Sequence, residues 1–206
     1  MLISDTKRFI FVHVPKTAGT SVKTALKPHA LPRPPHWHSL LRRFGLPRDY
    51  RRYRFPIHVS LSLIERVVPP EVYRGYFKFA FVRNPWDRLV SFYHNMLERP
   101  AHPQHRRVRR LGSFDAYVRY EVRRGKLRQY PMLVDSSGRI GVDFLGRFEN
   151  LAADFAEVCT RIGIESPLAH ANRSNRAEYR SYYDPSLREL VREHWREDIE
   201  KFGYEF

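Results

Sequence analysis

Residues 9–26 read Phe-Ile-Phe-Val-His-Val-Pro-Lys-Thr-Ala-Gly-Thr-Ser-Val-Lys-Thr-Ala-Leu. Residues 9–14 are mostly apolar and β-branched or aromatic, which is typical of a strand buried on both faces of a parallel sheet. Pro15 predicts the end of that strand, and residues 22–26 suit a helix. The stretch therefore predicts a strand, a turn and a helix.

The predicted turn has the composition of an anion site. A turn that leads into a helix directs unpaired backbone N–H groups and the positive end of the helix dipole at one point. Gly19 would let the backbone approach a ligand closely, and Lys16 adds a positive charge. Hydroxyl donors come from Thr17, Thr20 and Ser21.

The order of residues in this turn argues against a nucleotide-binding P-loop. That motif places lysine after its last glycine and follows it with Ser or Thr to hold magnesium, whereas Lys16 precedes Gly19 here. The order in residues 15–21 instead resembles the 5′-phosphosulfate loop of sulfotransferases that use 3′-phosphoadenosine 5′-phosphosulfate (PAPS). The resemblance implies that the donor is bound by Lys16, Thr17, Ala18, Gly19, Thr20 and Ser21.

The length and the net charge limit the classes of protein to which the chain can belong. With 206 residues, 42% of them hydrophobic, the chain suits a single domain, residues 1–206. The 37 Lys and Arg against 22 Asp and Glu give a net charge of +15, which predicts a polyanionic partner: nucleic acid, anionic membrane or acidic polysaccharide. Charge alone does not choose among these three.

Apolar runs and cysteine content give two further expectations. No long apolar run occurs, and Asp5, Lys7 and Arg8 interrupt the first residues, so we expect a soluble, cytoplasmic protein without a transmembrane segment. Cys159 is the single cysteine, which excludes an internal disulfide and a zinc site built on several cysteines. Its apolar helical surroundings predict a buried structural thiol.

A second strand, turn and helix is predicted from residue 77 onward. Residues 77–82 form an apolar strand pattern, Asn84 suits a helix N-cap and Pro85 a first helical position. The core-facing positions of this helix are Leu89, Phe92, Tyr93, Met96 and Leu97; the opposite, polar face has Asp87, Ser91, His94 and Asn95. Arg83 and Ser91 would then be close enough to contact one bulky anion. A surface ion pair for Arg83 is the simpler alternative.

Residues 83–91, Arg-Asn-Pro-Trp-Asp-Arg-Leu-Val-Ser, resemble the 3′-phosphate element of the same sulfotransferases, in which an Arg and a Ser eight residues later hold that phosphate. The two motifs together are most similar to the carbohydrate sulfotransferases that modify glycosaminoglycans and related glycans. Segments 146–151, 172–174 and 202–206 resemble that branch as well. The resemblance implies PAPS as sulfuryl donor, PAP as product, and Arg83 and Ser91 as donor-binding residues.

The alternation of strands and helices predicts an α/β fold of three layers, α/β/α, around a mostly parallel sheet. Ligands in such folds bind at the carboxyl ends of the strands. The resemblance implies the same architecture, a P-loop nucleotide-kinase-like sulfotransferase fold.

Sulfuryl transfer needs charge stabilisation and a base. In a loose in-line transition state the leaving oxygen gathers negative charge, which Lys16 can stabilise. A hydroxyl acceptor must lose a proton, and histidine has a suitable pKa. The resemblance places the catalytic histidine between the two motifs, at His58; a second histidine often found nearby in the family is Ser60 here. His13 is the competing candidate, although its strand position favours a packed role.

No metal is expected, because the transferred group carries less charge than a phosphoryl group and no metal motif occurs. His36 and His38 flank Trp37, but no carboxylate or cysteine lies close by in the sequence.

Three arginine-rich segments, Arg42–Arg54, Arg106–Arg110 and Arg119–Arg128, are expected on the surface, the first two in long loops. Arg106, Arg107, Arg109 and Arg110 are the candidate contacts for an acidic glycan, with a solvated basic face as the alternative.

The leading hypothesis is thus an enzyme, a PAPS-dependent carbohydrate O-sulfotransferase. A small-molecule kinase and a nucleic-acid-binding module are the alternatives; the latter lacks a zinc-finger or RNP motif, so no nucleic-acid partner is expected.

The remaining elements are predicted from caps and periodicity. Residues 99–112 have a loop composition, whereas Ser113 and Gly125 bound an amphipathic helix. The others are a short helix over 61–68, a hairpin around 135–138, a helix from Asn150 to Gly163 and one final helix from Asp184 to Phe202.

Overall fold

The structure is a computed structural model that describes residues 1–35, 49–168 and 177–206. His36, Trp37, His38, the first part of the Arg42–Arg54 segment and the 172–174 loop lie outside the described residues. The chain forms two compact units. Unit 1 comprises Met1–Val82 and Pro131–Ala171, and unit 2 comprises Arg83–Tyr130 and Asn172–Phe206.

Unit 1 is built on a four-stranded sheet in which the strands follow chain order: β1 Leu2–Ser4, β2 Phe9–Val12, β3 Phe77–Val82 and β4 Phe144–Arg147. β1 is antiparallel to β2, while β2, β3 and β4 are mutually parallel. Val12 is the register partner of Ala80, so β2 and β3 run in step toward the same edge. The mostly parallel sheet confirms the predicted fold class.

Helices cover both faces of this sheet. The phenylalanines of β2 and β3 point to one face, where α1 (Gly19–Leu26) and α8 (Leu151–Ile162) pack on them. Cys159 is buried in that cluster, as predicted. On the other face, the ammonium of Lys78 lies 5.2 Å from the centre of the Tyr73 ring, which belongs to α3 (Pro70–Gly75). α2 (Leu61–Val67) precedes it and is capped by Ser60, whose Oγ accepts from Leu63 N–H.

Unit 2 is helical. Its helices are α4 Pro85–Leu97, α5 His105–Leu111, α6 Phe114–Arg124, α9 Pro185–His194 and α10 Arg196–Phe202, and the four-residue helix α7 (Tyr130–Leu133) follows at its boundary. They enclose an apolar core in which Trp86, Tyr117 and Trp195 are the largest fully buried side chains. Ser113 caps α6 through Ala116 N–H, and Gly125 ends it in the left-handed conformation, as predicted.

The structure corrects the prediction that residues 99–112 form a loop, because His105–Leu111 are helical. Val108 is the buried residue of this helix, so the segment has no apolar period for a sequence pattern to detect. Gly112, at φ 75°, ends α5 in the left-handed conformation. The arginines of this segment therefore lie on a helix rather than in a loop.

Three smaller predictions were also wrong in detail. The final helix is two helices, since Trp195 leaves helical geometry at φ −103° and ψ 24°. The predicted hairpin is a single bridge between Val134 and Ile140, preceded by α7. Asn150 stands before α8 without making a capping bond, because its side-chain amide donates to Asp154 at 2.6 Å instead.

Across residues 1–35, 49–168 and 177–206, we find no helix with the length and apolar character needed to cross a membrane.

Candidate active site

The loop after β2 is held in shape by its own backbone and by a buried hydroxyl. Lys16 and Ala18 have φ angles of 67° and 61°, in the left-handed region that non-glycine residues seldom adopt. Thr17 between them is fully buried, and its Oγ1 donates to Val14 O at 3.0 Å. Thr17, predicted as a donor to the ligand, thus uses its hydroxyl to close the turn.

The loop delivers a helix N-terminus with available backbone donors. The first intrahelical bond of α1 runs from Val22 N–H to Ala18 O at 3.2 Å. Ala18 provides no side-chain cap, and the first turn contains no acidic residue. The N–H groups of Gly19, Thr20 and Ser21 come before that first bond. These donors lie at the positive end of α1, which suits an anion.

Gly19 has a steric role that the sequence did not indicate. A Cβ at this position would lie 1.9 Å from His13 Cδ2 and 2.0 Å from His13 Nε2. Any larger residue would therefore displace the His13 ring. Gly19 was predicted to let a ligand approach the backbone closely. In the structure the group next to Gly19 is the imidazole of His13.

His58 lies beside His13 and is oriented by it. His58 is exposed, and its Nδ1 is 3.0 Å from the backbone oxygen of His13. Because a carbonyl oxygen only accepts, Nδ1 is the donor, and the neutral ring carries its basic lone pair on Nε2. The two imidazole centroids are 4.6 Å apart, edge to face.

His13 itself is poorly suited to act as a base. It is buried, as its predicted packed role requires. Burial, followed by the charge of nearby His58, lowers the pKa of His13 to about 3. A ring with that pKa stays neutral at physiological pH and binds a proton weakly. Of the two histidines, His58 therefore has the better exposure for proton transfer.

The second motif forms the predicted capped helix. Asn84 Oδ1 accepts from Trp86 N–H at 3.0 Å, and Pro85 is the first residue of α4. Arg83 is buried, and its Nε and Nη2 each lie 2.7 Å from Asp87 Oδ2. Its ion pair is thus internal to unit 2 rather than a solvated surface pair.

A buried network that the sequence did not predict fixes the backbone of Arg83. Gln129 Oε1 accepts from Arg83 N–H at 3.0 Å, and Gln129 Nε2 donates to Arg83 O at 2.7 Å. The backbone N–H of Gln129 in turn donates to both oxygens of Asp198, at 2.8 and 2.9 Å. Burial raises the pKa of Asp198. These partners are far apart in the sequence, so no local pattern joins them.

Two polar side chains of α4 are buried. Ser91, on the predicted polar face, is 8% exposed, and Arg88 is 3% exposed. Arg88 Nη1 donates to Leu127 O at 2.7 Å, and its guanidinium lies 5.0 Å from the Phe92 ring centre. Burial lowers the pKa of Arg88 to about 10, which still leaves it protonated at neutral pH.

α5 presents a basic groove within unit 2. The four predicted arginines are exposed, and a groove of about 560 Å³ is lined by Pro100, His105, Arg106, Arg109 and Arg110. Arg107 lies outside this lining and stacks 5.6 Å from the Tyr120 ring centre. In the third arginine segment, Arg119 forms an ion pair with Asp115 at 2.9 Å. The carboxylate partly cancels the electrostatic field of the Arg119 charge.

The residues that the structure describes contain no group of three or more His, Cys, Asp or Glu side chains placed to hold a metal ion.

Comparison with known proteins identifies the class. A family model described as "Sulfotransferase family" matches residues 1–205. The chain therefore belongs to the sulfotransferase family, which confirms the resemblance drawn from the two motifs and the predicted class of enzyme.

Individual relatives are more distant. Carbohydrate sulfotransferase 14 of Danio rerio is 24% identical over 217 residues, covering 93% of this chain and 54% of that protein. The Mus musculus protein of the same name is 34% identical over 98 residues, 46% of this chain and 23% of that protein. An uncharacterized protein of Archaeoglobus fulgidus is 30% identical over 109 residues, 52% of this chain and 83% of its own length. The chain thus spans about half or less of the two carbohydrate sulfotransferases.

Among solved structures, the crystal structure of mouse sulfotransferase SULT7A1 complexed with PAP superposes with a TM-score of 0.58 at 15% identity. The match covers 96% of this chain and 85% of that one. At this identity the likeness confirms the fold.

Proposed function

We propose that residues 1–206 form one sulfotransferase domain that transfers the sulfuryl group of PAPS to a hydroxyl of a carbohydrate acceptor. The observation that carries the proposal is the loop after β2, which leads into α1 with the N–H groups of Gly19, Thr20 and Ser21 before the first intrahelical bond. Family membership supports the reaction class, and the matches to two carbohydrate sulfotransferases support the acceptor class. When bound, PAPS supplies an activated sulfuryl group.

The loop residues fit the phosphosulfate end of the donor. The N–H groups that precede the first bond of α1 are suited to a multiply charged oxyanion. Thr17 serves by holding the loop closed, and Lys16 adds a positive charge. Arg83 and Ser91 are proposed to bind the 3′-phosphate. The donor-binding set is Lys16, Thr17, Ala18, Gly19, Thr20, Ser21, Arg83 and Ser91.

The catalytic roles follow from charge and tautomer. Nε2 of His58 accepts the proton of the acceptor hydroxyl, because Nδ1 is occupied by its bond to the His13 carbonyl. Lys16 and the N–H groups of the loop stabilise the negative charge that develops on the leaving oxygen in an in-line displacement.

Thermal unfolding with PAP, AMP, ATP and RNA compared side by side tests the donor class. A ligand that binds the native state raises Tm by mass action, so PAP should raise it most, with AMP and ATP well below PAP at equal concentration. A shift with ATP as large as that with PAP would favour a kinase. A shift with RNA alone would favour a nucleic-acid-binding module.

We further propose that the basic groove of α5 attracts an acidic glycan. Replacing Arg106, Arg107, Arg109 and Arg110 with Ser should raise the KM for an acidic glycan roughly threefold to tenfold at low salt, because the field that concentrates the acceptor is removed. The same change made with Gln keeps the helix propensity of α5 and should give the same result. PAP affinity should barely change.

A matched control removes four other arginines of unit 2 that are paired with carboxylates. Arg119, Arg180, Arg192 and Arg196 form such pairs, and their replacement lowers the net charge equally. KM is measured for an acidic and a neutral glycan across a salt series. Equal effects on both glycans, or an equal effect of the control, would contradict a role for the groove.

A further inference from the structure

We propose that the His13 side chain is a positioning residue that holds the imidazole of His58 in its productive orientation. The inference rests on the proposed function, in which His58 is the base. The His13 ring is buried on one side and abuts His58 on the other, so it connects the start of α1 to the catalytic histidine.

The His13 ring is fixed from two sides. It is stacked on Phe11, with centroids 5.8 Å apart and planes 20° apart. On its other flank it occupies the space that a Cβ of Gly19 would fill. With 7% of its surface exposed, the ring has little freedom to rotate. In such close packing, the position of one side chain restricts the positions of its neighbours.

His58 is the more exposed of the two histidines, and its contacts include the His13 carbonyl at 3.0 Å and the His13 ring at 4.6 Å. The carbonyl bond fixes which nitrogen carries the proton, and the ring contact limits the directions in which the imidazole can turn. Both of these contacts come from one residue. Loss of the ring contact should widen the range of rotamers that the His58 side chain samples and reduce the fraction in the reactive orientation.

Substitution of the His13 side chain separates these two contacts, because the backbone carbonyl remains. His13→Ala should lower kcat roughly 10- to 100-fold, as expected for loss of alignment at a reacting group, while KM for PAPS and the PAP-induced rise in Tm stay near wild type. His13→Phe restores an aromatic ring at the same place and should recover most of kcat. It also serves as the second variant if the alanine protein folds poorly.

A double-mutant cycle tests whether His13 acts through His58. In a His58→Ala background the further change His13→Ala should alter kcat less than about twofold, since the oriented group is already absent. The same large loss in both backgrounds would overturn the proposal. So would a loss in His13→Phe as large as that in His13→Ala.

A spectroscopic readout is independent of turnover. Long-range proton–nitrogen NMR correlations of His58 should show one neutral tautomer, with the proton on Nδ1, in the wild type. In His13→Ala the second tautomer should appear, because an imidazole that can turn away from the His13 carbonyl no longer keeps its proton on Nδ1. An unchanged tautomer together with unchanged kcat would overturn the positioning role. If His58→Ala alone left kcat unchanged, the assignment of the base in the proposed function would fail instead, which distinguishes the two.

Discussion

Lys16→Ala is expected to lower kcat by roughly two to three orders of magnitude, the usual cost of removing one donor to a developing oxyanion. Affinity for PAP should fall far less, because the proposed contact strengthens only as charge gathers on the leaving oxygen. The backbone gives a clean comparison: Lys16 already lies at φ 67°, where alanine and lysine carry a similar steric cost. The measurement is steady-state turnover of PAPS together with calorimetric titration of PAP.

Lys23→Ala is the matched control for this experiment, since Lys23 lies on α1 but outside the loop. It removes one positive charge from the helix that follows the loop and should leave kcat within a few-fold of wild type. Turnover of Lys16→Ala within a few-fold of wild type would reduce Lys16 to a binding residue.

Arg83→Ala is expected to weaken PAP binding by about 2 to 4 kcal/mol, since it removes a charge-assisted contact to a partly buried phosphate. The loss corresponds to a change in Kd of roughly 30- to 1000-fold. AMP, which lacks the 3′-phosphate, should bind poorly to the wild type and about equally to the variant. Calorimetry with both ligands on both proteins gives the four values.

The comparison with AMP controls for damage to the fold. Arg83 is buried against Asp87, so alanine removes the guanidinium from a mostly buried carboxylate, and some loss of stability is expected. General damage would lower the affinity for both nucleotides, whereas loss of the 3′-phosphate contact lowers only that for PAP. Arg83→Lys keeps the positive charge but not the planar guanidinium. Its affinity for PAP should lie between those of the wild type and Arg83→Ala. Equal affinity of the wild type for PAP and AMP would remove Arg83 and Ser91 from the site.

Much of the fold was predictable because its signals are local. The unbroken apolar runs of β2 and β3 and the Asn-Pro start of α4 each lie within a few residues. α5 was missed for the same reason: its sequence is dominated by arginine, and its one buried residue, Val108, creates no period. The break at Trp195 was missed because the apolar stripe continues across it into α10.

The candidate site was predictable in its residue types but not in its contacts. The order of residues around Lys16 and Arg83 has a recognisable spacing. The contact between His13 and His58 joins residues 45 positions apart, and Gln129 reaches Arg83 over 46 positions. Tertiary packing decides such pairs, and no periodicity encodes them. The role of Gly19 against the His13 ring belongs to the same group.

The shortness of α5 limits what its arginines can recognise. Arg106 to Arg110 are five consecutive residues, which span only about 6 Å along a helix that rises 1.5 Å per residue. Screening at physiological ionic strength also limits the electrostatic attraction to anionic groups within about 8 Å of these charges. The cluster can therefore bind only the few anionic groups nearest to it. A short acidic oligosaccharide should bind to it about as well as a long polymer does. Preference for chain length, where an acceptor shows one, must come from another part of the protein.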